Sequence, residues 1–161
     1  MSPETPTTIL QAVLLVMFFA LFFYQWGTTN LEGFLNYPFW RDMGAKMEKA
    51  DFVQLYKDHG WKIVLLLVIP FLLYTVVAVA LLLYPPTYIP RWVLLGVCGL
   101  QIVVFTSSVF VQVPLRVRLD REGYDAAKFQ RLITTDFWLR KIPSAAQAIL
   151  VLVALWHVVM R

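Results

Sequence analysis

The chain has 161 residues, of which 60% are hydrophobic and 16% aromatic, and it carries a formal net charge of +4. A soluble domain of this length cannot bury so much apolar surface, whereas a lipid bilayer solvates the outer faces of apolar helices. The composition therefore excludes an ordinary soluble domain. The positive charge is typical of basic cytoplasmic loops and is no sign of nucleic-acid binding, so we expect no nucleic-acid partner.

Four apolar runs predict four membrane-spanning helices. None of the runs contains Lys, Arg, Asp or Glu, and each has the roughly 20 residues that a helix needs to cross a bilayer core. The first run has no basic residue before it and no small-residue cleavage site after it, so we expect a retained helix and not a signal peptide. The runs cover residues 9–26, 63–84, 92–115 and 142–160.

The two long loops between these runs are basic. Residues 27–62 contain five Lys or Arg residues and residues 116–141 contain seven. Because cytoplasmic loops carry most of the Lys and Arg of membrane proteins, both loops are predicted to be cytoplasmic and both termini to lie on the outer side. The sequence thus predicts one multi-pass domain over residues 1–161, an all-α four-transmembrane-helix bundle surrounded by membrane lipid.

Both basic loops contain an amphipathic helix that runs into the next span. Phe52, Tyr56 and His59 share one helical face before the second run, and Phe129 and Asp136 share one before the fourth. We therefore expect helices 2 and 4 to extend beyond the bilayer on the cytoplasmic side.

Local signals refine the ends and bends of these helices. Asp125, after Gly123, is placed as a helix N-cap. Pro70 and Pro143 fall within apolar helical segments, where a proline is expected to bend the helix. The pair Pro85-Pro86 predicts a short, stiff turn between the second and third runs.

Common catalytic and metal motifs are absent from the sequence. There is no CxxC, HExxH, GxSxG or phosphate-binding glycine loop, and Cys98 is the only cysteine. His59 and His157 are placed at opposite faces of the membrane, so they cannot ligate one metal ion or one haem iron. We therefore expect no metal site and no cofactor. The spans also lack a carboxylate, which disfavours a proton-coupled exporter.

The candidate catalytic residues are His59, Asp136 and Arg140. If the two amphipathic helices pack together, His59 and Asp136 could meet beside Arg140 and form an acid–base or ligand-gripping cluster at the cytoplasmic mouth of the bundle. The alternative is that Asp136 pairs with Arg140 one turn later and that His59 is a helix-packing residue.

Polar side chains also occur within the spans, among them Gln25, Gln101, Gln112 and Gln147. At that depth polar groups should face the interior of the bundle and form hydrogen bonds between helices. They could equally line a cavity that opens to the cytoplasm.

The second half of the chain carries a resemblance. Gln112-Val113-Pro114-Leu115 closes the third run, and a polar helix follows that ends in residues 132–140, Leu-Ile-Thr-Thr-Asp-Phe-Trp-Leu-Arg. This pattern, over about the last third of the chain, resembles the anthrone-oxygenase-like family of small four-span membrane proteins. The resemblance implies a four-helix bundle, a cofactor-independent oxidoreductase activity and, from the family's bacterial relatives, a bacterial inner membrane.

The leading functional hypothesis is a protein that binds a hydrophobic or aromatic small molecule in a cytoplasm-facing pocket. Whether it is an enzyme stays open. The alternatives are a non-catalytic accessory subunit of a larger membrane complex and an oligomeric channel or transporter. In the first hypothesis aromatic rings stack on the ligand, arginines hold a polar or anionic group, and amides add hydrogen bonds. The residues expected to bind ligand are Trp61, Gln112, Arg116, Phe137, Trp138 and Gln147.

Overall fold

A computed structural model describes residues 9–160 as four long antiparallel helices. The helices are α1 (Ile9–Gly44), α2 (Lys49–Leu83), α3 (Arg91–Glu122) and α4 (Ala126–Val159). The described part contains no strand, and the predicted all-α four-helix bundle is confirmed. All four helices are long and apolar enough to cross a membrane. The placement of the termini on the outer side concerns residues 1–8 and 161, which lie outside the described residues.

Short connections define two ends of the bundle. Residues 45–48 and 123–125 form what we call the basic end, and residues 84–90, which contain three prolines, form the proline end. Gly123 ends α3 with a φ of 86°, a left-handed conformation that glycine adopts readily. The carboxylate of Asp125 accepts a hydrogen bond of 3.0 Å from the backbone N–H of Lys128, which confirms the predicted N-cap of α4.

Every helix extends beyond its apolar run at the basic end. The extensions of α2 and α4 are confirmed, but α1 and α3 also continue, to Gly44 and Glu122, which the sequence analysis did not predict. The reason is that the apolar stripes of α2 and α4 need partners. Tyr37 and Trp40 on α1 and Leu119 on α3 supply them, and all three side chains are buried.

Each helix contains one five-residue π-helical turn, and in each the turn directly precedes an X–Pro pair. In the first, the backbone N–H of Tyr37 bonds to the carbonyl of Glu32, five residues back, and Pro38 follows. A proline has no N–H to donate and its ring collides with the carbonyl four residues earlier; the wider turn removes both conflicts without breaking the helix. The same device accommodates Pro70 and Pro143. The π turns are Glu32–Asn36, Val64–Val68, Ser108–Gln112 and Phe137–Lys141.

Two hydrophobic cores lie on either side of the π turns. An apolar core fills the proline end, with Phe18, Tyr74 and Val97 among its buried members. Towards the basic end lies an aromatic core, in which Trp40 meets Phe52 and Tyr56 edge to face. The layer between the two cores contains the buried ionisable groups. The aromatic core consists of Tyr37, Trp40, Phe52, Tyr56, Leu115, Leu119, Phe129 and Leu132.

Amide side chains join helices within the apolar part of the bundle. Gln101 on α3 donates a hydrogen bond of 2.8 Å to the hydroxyl of Thr75 on α2. Gln147 on α4 donates to the carbonyl of Val97 on α3 at 3.0 Å and lies 3.3 Å from the Gln101 amide oxygen. For Gln101 and Gln147 the structure therefore supports the interpretation as hydrogen bonds between helices.

Candidate ligand-binding site

Glu32 lies at the centre of a buried ionic cluster. Its carboxylate is only 3% exposed and accepts a hydrogen bond from the guanidinium of Arg116. Nη1 of Arg140 lies 4.0 Å from the second oxygen of Glu32 and donates a bond of 2.7 Å to Asp136. We call Glu32, Arg116, Asp136 and Arg140 the ionic cluster. It brings together two positive and two negative formal charges from α1, α3 and α4.

The aromatic core holds Arg116 in place. Nη2 of Arg116 donates a hydrogen bond of 3.0 Å to the hydroxyl of Tyr37, and its guanidinium carbon lies 5.7 Å from the centre of the Tyr37 ring. Tyr37 packs edge to face on Phe129, at 6.3 Å between ring centres. The position of this arginine is therefore coupled to the packing of the amphipathic helix of α4.

The ionisable groups of this layer lie beyond the four apolar runs. Burial raises the pKa of Glu32, but the charges of Arg116 and Arg140 outweigh it, so the pKa lies below its ordinary value. At Asp136 burial raises the pKa more than the charge of Arg140 lowers it, so the pKa lies above its ordinary value. Burial, with Arg116 second, lowers the pKa of His59, so its imidazole is neutral at neutral pH.

A cavity of about 250 Å³ lies against the ionic cluster. We call it the polar cavity. All four π turns contribute to its wall: Glu32 from the first, Val68 from the second, Gln112 from the third and Arg140 from the fourth. The four wide π turns thus surround the space that the helices leave between them. π turns of this kind occur frequently at functional sites.

The polar cavity opens between α2 and α3. Its exposed wall residues come from these two helices and are apolar, for example Val68 and Leu72 on α2 and Val109 and Val113 on α3. The wall residues from α1 and α4 are buried or half-buried. A ligand would therefore reach the polar cavity sideways, past apolar side chains.

Three wall residues carry a buried polar atom that has no hydrogen-bond partner within residues 9–160. These atoms are Oε1 of Gln25, Oε1 of Gln112 and Nε of Arg140. The amide nitrogen of Gln112 is satisfied, because it donates to Thr135 at 3.0 Å. An unpartnered buried polar atom costs about 1–3 kcal/mol, which a ligand that offers both a donor and an acceptor could recover.

The structure brings some of the predicted site residues together. Gln112, Arg116 and Arg140 line the polar cavity, and Asp136 joins them through its ion pair with Arg140. His59 does not line the cavity; it packs on Trp40, with ring centres 5.1 Å apart. Among the described residues no hydrogen bond or ion pair joins His59 to Asp136. The geometry thus matches the alternative interpretation of pairing one turn apart.

The other predicted ligand-binding residues lie away from this cavity. Trp61, Phe137 and Trp138 are 68%, 48% and 61% exposed and point out of the bundle. Gln147 is buried among the helices, where its amide bonds to Val97 and Gln101. These four side chains are not part of the cavity wall, and their assigned roles in ligand binding stay predictions.

Glu32 and Tyr37 were not predicted as site residues, whereas Gln25 is one of the polar span residues that were expected to form hydrogen bonds between helices or to line a cavity. Glu32 is separated by 84 residues from Arg116, so no local spacing reveals the pair. One signal was present, because Pro38 and Pro114 occur in α1 and α3 just as Pro70 and Pro143 occur in the other two helices. Within residues 9–160 no group of three or more His, Cys, Asp or Glu side chains is arranged to hold a metal ion.

No protein family matches the chain, and no curated protein or solved structure shows significant similarity to it. The resemblance to the anthrone-oxygenase-like family therefore stays a prediction.

Proposed function

We propose that this chain is a multi-pass membrane protein that binds a hydrophobic small molecule with a neutral, hydrogen-bonding head in the polar cavity. The observation that carries the proposal is the cavity itself, with a charged, buried wall on one side and an apolar opening between α2 and α3 on the other. A molecule dissolved in the bilayer can enter through such an opening without crossing water.

The charge balance of the ionic cluster supports a neutral head. Each arginine already has a carboxylate partner, Arg116 with Glu32 and Arg140 with Asp136. An anionic ligand would have to compete with these carboxylates at close range, which is costly in a buried site. A phenol or alcohol can accept from an arginine and donate to the amide oxygen of Gln112 or Gln25, the groups left without partners.

We further propose that the basic end of the bundle lies in the cytoplasm. The excess of Lys and Arg in the two basic loops supports this orientation. The polar cavity then lies near the cytoplasmic surface of a bacterial inner membrane. An oxidoreductase activity has no support beyond the resemblance and is not needed for the binding role.

The binding role can be tested with para-hexylphenol and wild-type protein in lipid nanodiscs. We expect saturable binding, and we expect Val109→Trp, which places a large ring at the cavity opening, to raise the Kd at least tenfold. The matched control is Phe110→Trp, because Phe110 is the next residue of the same π turn, is 74% exposed and is not part of the cavity wall. Tighter binding of para-hexylbenzoate than of para-hexylphenol, or equal effects of both variants, would contradict the proposal.

A second candidate function, an accessory subunit of a larger membrane complex, is favoured by the outer surface of α1. Phe34, Leu35 and Phe39 are 72%, 62% and 51% exposed, although they lie beyond the apolar run of their helix. Exposed apolar groups at such a place fit a protein contact. Co-purification of a stoichiometric partner, lost in a Phe34→Ser and Phe39→Ser double variant, would support this candidate.

A further inference from the structure

A second cavity lies next to the polar cavity, between α2 and α3. It has a volume of about 180 Å³ and its wall consists of Thr75, Ala78, Val79, Cys98, Gln101, Ile102 and Phe105. We call it the apolar cavity. Phe105 belongs to both walls, and its ring stacks on Phe71 at 5.8 Å between centres, with 9° between the planes.

The polar groups of the apolar cavity are already satisfied. The hydroxyl of Thr75 accepts from the amide of Gln101 and donates to the carbonyl of Phe71 at 2.8 Å. The oxygen of Gln101 lies 3.3 Å from the amide nitrogen of Gln147, and the thiol of Cys98 lies 3.5 Å from the carbonyl of Ala78. This wall presents no unmet hydrogen-bonding group, unlike the wall of the polar cavity, and therefore suits hydrocarbon.

The two cavities follow one another along α2 and α3, a stretch that we call the groove, with polar chemistry at one end and apolar chemistry at the other. On α2 the wall residues run from Ile63 to Val79, and at a rise of about 1.5 Å per residue this stretch is roughly 24 Å long. Either cavity alone is smaller than the roughly 300 Å³ at which small-molecule pockets begin. A compact aromatic molecule would leave the apolar cavity unused.

We propose that the ligand is a long-chain amphiphile, with its head at the ionic cluster and its chain passing the Phe71–Phe105 pair into the apolar cavity. This inference rests on the proposed binding role and adds the class of ligand and its direction in the groove. The head faces the basic end and the chain faces the proline end.

The test uses two photoreactive forms of para-dodecylphenol in nanodiscs. The head probe carries a diazirine beside the ring, and the tail probe carries it on the last carbon of the chain. After irradiation, mass spectrometry locates the labelled residues. We expect the head probe to label the polar cavity, for example Leu67 and Ser108, and the tail probe to label Ala78, Cys98 or Ile102. Excess unlabelled para-dodecylphenol should remove both labels.

Two variants separate the apolar cavity from the lipid-facing surface. Val79→Trp fills the apolar cavity and should reduce labelling by the tail probe several-fold, whereas Val76→Trp, at a 66% exposed position outside both cavity walls, should not. Tail labels spread over outward-facing residues and insensitive to competitor, with the head label intact, would overturn the inference and leave the binding role standing. If the head probe also fails to label the polar cavity, both proposals fail.

Discussion

At the scale of single residues, Glu32 is central to the charge balance of the ionic cluster. Its carboxylate contacts Arg116 directly and lies 4.0 Å from Arg140, so one side chain of α1 balances charge on both α3 and α4. Removing one member of a buried ion pair leaves an uncompensated charge, which is more costly than never having had the pair.

We predict that Glu32→Gln lowers the free energy of unfolding by about 3 kcal/mol, because Arg116 then loses its buried counter-charge. Unfolding in mixed micelles, followed by circular dichroism, measures the change. The control is Glu122→Gln, whose ion pair with Lys128 is exposed and whose loss should not be measurable. Equal stability of Glu32→Gln and wild type would show that the cluster does not hold the helices together.

His59 makes a pH-dependent contribution to stability. Burial beside Trp40 and the charges of Arg116 and Lys62 lower its pKa, and Glu32 opposes them, so the folded protein favours the neutral ring. The unfolded chain binds the proton first as pH falls below about 6.5, so stability should decrease from there towards the lower folded pKa. His59→Gln should remove this part of the decrease in melting temperature. An unchanged pH profile in the variant would contradict the assignment.

At the scale of elements, the π turns set the architecture of the site. Each one directly precedes an X–Pro pair, and each contributes to the wall of the polar cavity. The extensions beyond them are held by the aromatic core, where edge-to-face pairs add about 0.5–1.5 kcal/mol each beyond area burial.

We predict that Pro114→Ala weakens binding of para-hexylphenol about tenfold while helix content by circular dichroism stays constant. Alanine restores an N–H that can bond four residues back, which competes with the π turn that places Gln112 and Arg116 in the cavity wall. Pro86→Ala, in the connection at the proline end, is the control and should leave binding unchanged. Unaltered binding in Pro114→Ala would mean that the π turn is not needed for the site.

The aromatic core gives a second element-scale prediction. Phe52 is fully buried, so Phe52→Ala should cost about 3–5 kcal/mol and loosen the extensions, detectable as faster hydrogen exchange in residues 49–62. Phe39→Ala, at a 51% exposed position, is the matched control and should have a small effect. A small effect of Phe52→Ala would show that the extensions are stable without this core.

For the whole molecule, hydropathy and charge predicted the four helices and the extensions of α2 and α4. Each of these features can be predicted from the residues of a single segment, as an apolar run or as an apolar stripe with helical spacing. The extensions of α1 and α3 could not be predicted, because Tyr37, Trp40 and Leu119 become buried only when the stripes of the other helices meet them. The Glu32–Arg116 pair was missed for the same reason, whereas Asp136–Arg140, four residues apart, was within reach of local reasoning.

We predict that residues 45–48 face the cytoplasm and residues 84–90 the outside. In a Cys98→Ala background, a membrane-impermeant maleimide added to intact spheroplasts should label Thr87→Cys and not Lys46→Cys, since both positions are exposed. Labelling of Lys46→Cys from outside would reverse the orientation.

We propose that the polar cavity holds a hydrophobic molecule with a neutral polar head. The most direct measurement is mass spectrometry of small molecules retained by the protein after extraction from its native membrane in a detergent-free polymer. We predict a retained molecule with an alcohol or phenol head and a long apolar chain in wild-type protein and in Phe110→Trp, at a level that falls at least tenfold in Val109→Trp. Equal retention in all three proteins, or a retained molecule with an anionic head, would contradict the claim.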